Sequence, residues 1–322
     1  MNFFKKKQKR EIIENTQKVN ELAEDTPQSK IEYFENEIKP IQQELEESLI
    51  IKDAGLTVHT PGELSKGCQC CKNGTWLCIF VGYHCNTRCA SCPQENSQMT
   101  DHSKSFVNMW IDDAKKYIDL FPNLIKGVSY SGGEPFMYLD KVKSFAEFLN
   151  KEHPNIYQWI YTNGLLVTED SLIILNNLGV KEIRFHLQAT DYSEEILEKI
   201  KYASRIMDKV TVEVPCVPET YKYLIEKKII HQLEELGVTQ LNLAELYVND
   251  SNKENYKKEK KYLHNSAFTQ TLMLFESRKI TYKIIKYAIE NKIKILVNDC
   301  SQDTKMLQIM KKSTNPILSK IN

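Results

Sequence analysis

The sequence predicts an α/β protein built as a partial (β/α)6 barrel of the TIM type, with an N-terminal helical extension and a C-terminal α/β tail. Three observations predict it. From Thr75 onward, short apolar runs alternate with amphipathic stretches of helical period. The apolar runs are four to seven residues long and rich in β-branched and aromatic side chains, which suits strands better than helices. Apolar strands separated by helices form parallel sheets covered by those helices.

The elements follow in order. Residues 1–66 read as the helical extension. Ile31, Phe34, Ile38, Ile41, Leu45 and Leu49 recur at steps of three and four, an apolar stripe that docks on the main domain. Pro40 lies inside the stripe and is expected to kink or split the helix. Lys5, Lys6 and Lys7 read as a solvated end. Residues 67–250 read as the core domain. Its strands are expected near 76–81, 127–130, 159–162, 182–187, 210–214 and 241–247, and its helices near 107–121, 139–151, 168–178, 193–207 and 219–236. Six such units curl into part of a barrel, whose chemistry sits at the C-terminal ends of the strands. Residues 251–322 read as an extension docking on the core. The run NDSNKENYKKEKKY reads as a solvated loop and helix, followed by a helix near 281–291, a strand near 292–297 and a helix near 303–312.

At 322 residues and 41% apolar content the chain can bury one large α/β core with appendages. Lysine plus arginine and aspartate plus glutamate both number 43, so the formal net charge is zero and no nucleic-acid partner is expected. No signal-peptide stretch follows the basic start MNFFKKKQKR, and no apolar run is long enough to cross a bilayer. A cytoplasmic location without membrane contact is the expectation. Seven of the nine cysteines lie between Cys68 and Cys92. A disulfide framework spreads its cysteines through a small secreted fold, whereas this crowding points to metal or cluster ligation.

The decisive segment is CNTRCASC, residues 85–92, directly after the first core strand. Its C-x3-C-x2-C spacing offers three thiolates, and soft thiolates suit iron–sulfur clusters. A cubane cluster has four irons, so Cys85, Cys89 and Cys92 would hold three corners and leave one iron without a protein ligand. An open position is where a substrate or cofactor binds, the logic that separates catalytic from structural zinc sites.

This segment resembles the signature of the radical S-adenosylmethionine (SAM) superfamily, and later segments match that family in order. The resemblance implies a [4Fe-4S] cluster on Cys85, Cys89 and Cys92, with the open iron chelating the amino and carboxylate groups of SAM. Reductive cleavage of SAM then gives a 5′-deoxyadenosyl radical that abstracts a hydrogen atom. One departure is Ser91, where the family commonly has an aromatic residue before the third cysteine. SYSGGEPF at 130–137 resembles the family's GGE motif, making Gly132, Gly133 and Glu134 candidates to bind the methionine amino group; its plainer reading is a Gly-Gly turn. In YTNG at 161–164, Thr162 and Asn163 are candidate cofactor contacts, although Asn-Gly is also a common turn. EIRFHLQA at 182–189 is read as the fourth strand, with His186 and Gln188 on one face where the family places SAM contacts; a satisfied core histidine is the alternative. Glu213 and Cys216, in VEVPCVP, are similar cases. Cys216 is the candidate hydrogen-atom donor to a substrate radical, against the reading of a buried thiol as a small apolar residue.

GCQCCKNG at 67–74 and CSQDTKMLQ from Cys300 look like a branch of the superfamily related to pyruvate formate-lyase activating enzyme. Cys68, Cys71 and Cys300 are therefore candidates to share an auxiliary zinc ion or cluster, with Cys70, Cys78 or His59 as a fourth ligand. Free thiols beside a packed loop are the alternative. That branch implies a peptide or protein substrate and an external electron donor of flavodoxin or ferredoxin type, with a small molecule or RNA as the competing substrate class. A non-catalytic zinc or iron–sulfur cysteine-rich binding module would explain the cysteines but not the GGE and TNG segments or the strand–helix alternation.

Overall fold

The computed structural model describes residues 32, 34–94, 108–265 and 270–313. Lys5, Lys6, Lys7 and Ile31 lie outside the described residues.

Ten strands form one sheet: β1 (Ile50–Lys52), β2 (Thr57–His59), β3 (Trp76–Phe80), β4 (Asn108–Trp110), β5 (Gly127–Ser131), β6 (Tyr157–Thr162), β7 (Val180–Phe185), β8 (Lys209–Pro215), β9 (Gln240–Ala244) and β13 (Leu296–Cys300). The spatial order is β1-β2-β13-β9-β8-β7-β6-β5-β3-β4. Every pair from β13 through β9, β8, β7, β6, β5 and β3 to β4 is parallel. The two pairings of β2 are antiparallel. Among the described residues no pairing joins the two edge strands, so the arc is a partial barrel of the predicted α/β kind. A separate antiparallel sheet contains β10 (Tyr247–Val248), β12 (Gln270–Leu274) and β11 (Lys261–Asn265), in that order.

The helices cover the arc. Residues Lys39–Leu45 form α1, Lys66–Lys72 α2, Ile111–Leu120 α3, Leu139–Glu152 α4, Glu169–Asn177 α5 and Glu194–Ile206 α6. Pro218–Tyr221 is α7, Ile229–Glu235 α8, Phe275–Glu290 α9 and Gln302–Ser313 α10. On α4, Val142, Phe145, Ala146 and Leu149 are buried at helical spacing against the sheet. The helix expected over 219–236 is broken, with a π turn at Lys222–Glu226 and left-handed Lys228 between α7 and α8. Pro40 sits in the first turn of α1, where its missing N–H leaves no helical bond unmade.

Three expectations are corrected. The extension before residue 66 is not purely helical: β1 and β2 form a hairpin whose His59 pairs with Asn298 of β13. The charged run after 248 is a loop with a single 3-10 turn, Lys253–Tyr256, rather than a loop and α-helix; it is not wholly solvated, since Tyr256 is buried, and it leads into β11 of the small sheet. The expected boundary at 66/67 falls at the start of helix α2, and that at 250/251 in the turn after β10. The fourth core strand ends at Phe185 and turns into a 3-10 segment, Leu187–Thr190, so His186 and Gln188 do not alternate along a strand.

The barrel interior is polar. Alternation along β7 sends Ile183 and Phe185 into the apolar cluster, while Glu182 and Arg184 face the lumen. Arg184 lies between the rings of Trp159 and Tyr161 and pairs with Glu182 at 2.7 Å and Glu213 at 3.3 Å. Charges this buried persist only when paired and hydrogen-bonded.

Helix α2 plugs this lumen. Ser65 caps it, accepting from the Cys68 amide, and its own hydroxyl donates to Glu182 at 3.0 Å. A Cβ on Gly67 would stand 2.6 Å from Arg184 Nη2 and 2.8 Å from Glu182 Oε2, so only glycine fits there. Cys70 packs beside Gly127, the first residue of β5, which places the plug toward the strand N-termini.

Candidate functional site

A cavity of about 690 Å³ opens at the other end of the arc, lined by residues from the C-terminal ends of β3 and β5–β9 and by the loops that follow. Its size is within the range of small-molecule sites.

The three motif cysteines all line it. Cys85 is exposed, while Cys89 and Cys92 are half-buried. The Cys92 amide donates to the Cys89 carbonyl at 3.1 Å, a turn that folds the loop on itself. Thr87 Oγ1 lies 3.3 Å from Cys85 Sγ and 3.8 Å from Cys89 Sγ. Burial pushes the Cys89 thiol up to about 11. Among the described residues no group of three or more His, Cys, Asp or Glu closes round a single metal ion.

The Gly-Gly-Glu segment abuts the backbone just before Cys85. Gly133 N donates to Gly82 O at 2.9 Å and Glu134 N to His84 O at 2.8 Å. A Cβ on Gly132 would meet Gly82 O at 2.2 Å, and one on Gly133 would meet His84 O at 2.0 Å. Gly132 also has φ +124°, a left-handed value. The glycines are therefore required by close backbone approach, not by a generic turn.

Glu134 is 1% exposed and faces inward rather than into open solvent. Its carboxylate accepts from Phe136 N at 3.0 Å, Thr162 Oγ1 at 2.9 Å and Asn163 N at 2.7 Å. Burial pushes its pKa above the ordinary carboxylate value, against the pull of those donors. Asn163 in turn reaches the thiol loop: its Nδ2 donates to Asn86 Oδ1 at 2.7 Å and lies 3.8 Å from Cys85 Sγ. The ends of β5 and β6 thus grip the loop that carries Cys85.

His186 lines the cavity, and its Nδ1 is 3.0 Å from the Glu213 carbonyl. A carbonyl only accepts, so Nδ1 carries the proton and Nε2 is left as an acceptor. Burial lowers its pKa and keeps the ring neutral. Gln188 is not in the cavity wall; its side chain accepts a short bond from Ser91, within the thiol loop. Glu213 lines the cavity, held by Arg184 and by Asn242 Nδ2 at 3.1 Å.

Cys216 requires correction. It is 0% exposed, belongs to the hydrophobic core and is absent from the cavity wall, so packing rather than reach toward a substrate accounts for it. Cys78, a candidate fourth ligand of the auxiliary set, lines the cavity. Of the candidate auxiliary set, Cys68 Sγ lies in the plug within 3.0 Å of Gln240 Nε2, 3.4 Å of Arg184 Nη2 and 3.5 Å of Asn242 Nδ2. Cys71 and Cys300 feel Cys68 electrostatically, and burial holds Cys300 up at about 11.

The sequence reading missed a clamp on the thiol loop. Asn249 Nδ2 donates to Pro93 O at 2.8 Å, Ser251 Oγ to Cys92 O at 3.3 Å, Asn252 Nδ2 to Ser91 O at 3.3 Å and Asn255 Nδ2 to Ala90 O at 2.9 Å. The signal was present in NDSNKEN: short amide and hydroxyl side chains are those that satisfy loop backbone. Together with the Ser91–Gln188 bond, this clamp holds the stretch where the expected aromatic residue is absent.

Residues 79–226 match the Radical SAM superfamily model. A curated protein of Methanocaldococcus jannaschii, named as a candidate glycyl-radical enzyme activating enzyme, is 26% identical over 203 residues, covering 59% of this chain and 52% of that protein. The chain therefore spans about half the length of the curated relative it matches. Among solved structures it is similar to Streptococcus suis SuiB bound to S-adenosylmethionine, at 18% identity and TM-score 0.48, over 71% of this chain and 50% of that one. It is also similar to the radical S-adenosylmethionine methyltransferase TsrM of Kitasatospora setae, at 10% identity and TM-score 0.46, over 79% of this chain and 64% of that one. The family match runs through β5 to β8 and includes the thiol loop and the Gly-Gly-Glu turn, so residues 79–226 of this chain match a radical SAM domain.

Proposed function

We propose that Cys85, Cys89 and Cys92 hold a [4Fe-4S] cluster, that SAM binds beside it in the 690 Å³ cavity, and that the enzyme abstracts a hydrogen atom from a peptide or protein substrate. The donor set fits the cluster. It consists of three soft thiols on one short loop, with no carboxylate or imidazole interleaved among them. When bound, the cluster and SAM together supply a carbon-centred radical able to remove a hydrogen atom.

The chain's own residues position and enclose this chemistry. Gly132 and Gly133 expose backbone where a side chain would block approach, offering polar groups to the methionine end of SAM. Glu134 acts through Thr162 and Asn163, fixing the loop end that carries Cys85. His186 Nε2 offers an acceptor to a ribose hydroxyl, and Glu213 adds a carboxylate beside it. The plug α2 seals the strand N-termini, which limits water entry from below.

The observation that carries this reading is the convergence of three thiols, the glycine pair and Asn163 at one cavity mouth. The activating-enzyme relative favours a peptide or protein as substrate, with an external one-electron donor of flavodoxin or ferredoxin type. Anaerobic reconstitution tests it: a brown protein that releases 5′-deoxyadenosine from SAM with dithionite is expected. Cys85→Ala, Cys89→Ala and Cys92→Ala should each strip iron and abolish SAM cleavage. A colourless protein that leaves SAM intact refutes the proposal.

A further inference from the structure

Helix α10 closes the open side of the barrel. It starts after β13, where Gln302 N donates to Glu245 Oε2 at 2.8 Å, and its far end crosses to β3, where Lys312 Nζ donates to Trp76 O at 3.0 Å. Lys311 Nζ meets Asp53 Oδ1 at 2.9 Å on the way. A Cβ on Gly74 would stand 2.5 Å from the Lys312 amide, so this crossing is tightly packed. The helix is thus fixed at both ends, and Lys305, one turn from its start, lines the cavity.

Among the described residues Lys305 and Arg88 are the cations of that wall, and Lys305 is the half-buried one on α10. Its ammonium makes no hydrogen bond or ion pair among the described residues, in contrast to those of Lys311 and Lys312 on the same helix. The cavity's acids are already engaged. Glu134 is filled by three donors, Glu213 by Arg184 and Asn242, and Glu245 by Tyr262 and the Gln302 amide. A half-buried ammonium with no internal counter-ion is arranged for one from outside. Tyr161 lines the same cavity; its oxygen accepts from Arg184 Nη1 at 3.0 Å, so its proton remains to be donated. Glu213 lines the same cavity and opposes added negative charge there, so the singly charged carboxylate is favoured over a phosphate dianion.

We propose that Lys305 is a specificity-determining residue of the substrate site, seating a carboxylate of the peptide substrate on the wall built by α10. This rests on the radical SAM reading with a peptide substrate given above. It assigns the tail element containing Cys300 and Lys305 to substrate selection.

The test uses the full chain, reconstituted and loaded with SAM, and three probes measured by equilibrium binding. These are acetyl-Gly-Glu-Gly-amide, its neutral counterpart acetyl-Gly-Gln-Gly-amide, and acetyl-Gly-Gly-Gly with a free C-terminal carboxylate. One charge-assisted contact predicts that a carboxylate probe binds about tenfold tighter than the neutral one. Whichever carboxylate probe shows the preference identifies the source, side chain or C-terminus. The preference should vanish in Lys305→Met and persist in Lys305→Arg, which keeps the charge. Equal binding of charged and neutral probes, or a preference that survives Lys305→Met, overturns the proposal. So does a Lys305→Met enzyme that no longer distinguishes SAM from decarboxylated SAM, because the lysine then serves the cofactor. SAM cleavage by the wild type without peptide separates the two readings. Its absence sinks the proposed function, whereas cleavage without charge preference sinks only the role of Lys305.

Discussion

Glu134→Gln replaces an acceptor-only group at the end of β5 with one acceptor and one donor. In the native site Oε1 takes the Phe136 amide at 3.0 Å and the Thr162 hydroxyl at 2.9 Å, and Oε2 takes the Asn163 amide at 2.7 Å. A glutamine oxygen can keep the first two. Its NH2 then faces the Asn163 N–H, two donors at contact distance, and flipping the amide sacrifices the other pair instead. The loss is one charge-assisted bond, about 1.5–3 kcal/mol, plus a buried donor left unpaired, about 1–3 kcal/mol. Relief of the carboxylate's burial, visible in its raised pKa, offsets part of this. A net destabilisation of about 2–3 kcal/mol follows, a large share of the 5–15 kcal/mol that holds a typical domain folded. Asn163 must move, and its grip on Asn86 and Cys85 moves with it. Urea unfolding of the metal-free protein measures the first effect, and iron bound per chain after reconstitution measures the second. Thr162→Val is a second probe of the same carboxylate: it removes the hydroxyl's bond to Glu134 and the acceptor of the Gly164 amide, a loss of about 2–3 kcal/mol. A Glu134→Gln protein within about 0.5 kcal/mol of wild type and with full iron would refute the account, since surface-like substitutions fall in that range.

Three further outcomes are expected. Asn252→Ala combined with Asn255→Ala removes two of the four side-chain donors on the thiol-loop carbonyls, so reconstituted iron should be lost faster to a chelator than from wild type; equal loss rates would show the clamp to be idle. Cys68→Ala takes the acceptor from Gln240, Asn242 and Arg184, and should cost about 1–3 kcal/mol in urea unfolding while leaving the SAM-binding iron in place; complete loss of iron would make Cys68 a ligand. Burial lowers the pKa of His186 below its ordinary 6.5, so the unfolded chain takes up a proton that the folded chain refuses. This contribution is complete above pH 6.5 and is lost as the pH falls below it, by up to about 1.4 kcal/mol per pH unit. Unfolding midpoints at pH 7.5 and 5.5 should therefore fall less in His186→Gln than in wild type, and identical falls would contradict the burial argument.

The sequence by itself determined the parallel α/β arc and the thiol loop, because both are written in local pattern. Apolar runs of strand length between helical stretches specify the layers, and C-x3-C-x2-C places three sulfurs together whatever surrounds them. The Gly-Gly-Glu and Thr-Asn-Gly segments were legible as candidates for the same reason, since strand ends bring them to one barrel mouth. What they do there was decided only in three dimensions. Gly133 is glycine because His84 O lies where a Cβ would stand, and Glu134 turns inward to Thr162 and Asn163, contacts that join residues 28 and 29 positions apart. The separation is larger still for the clamp from Asn249–Asn255, which straddles the end of the expected core, and for Lys305, which lies beyond it. The burial of Cys216 and the place of Cys78 in the cavity wall were hidden for a related reason. Burial and cavity exposure depend on which neighbours close over a strand end, and a one-dimensional pattern carries the period of a strand but not the identity of the residues packed across from it.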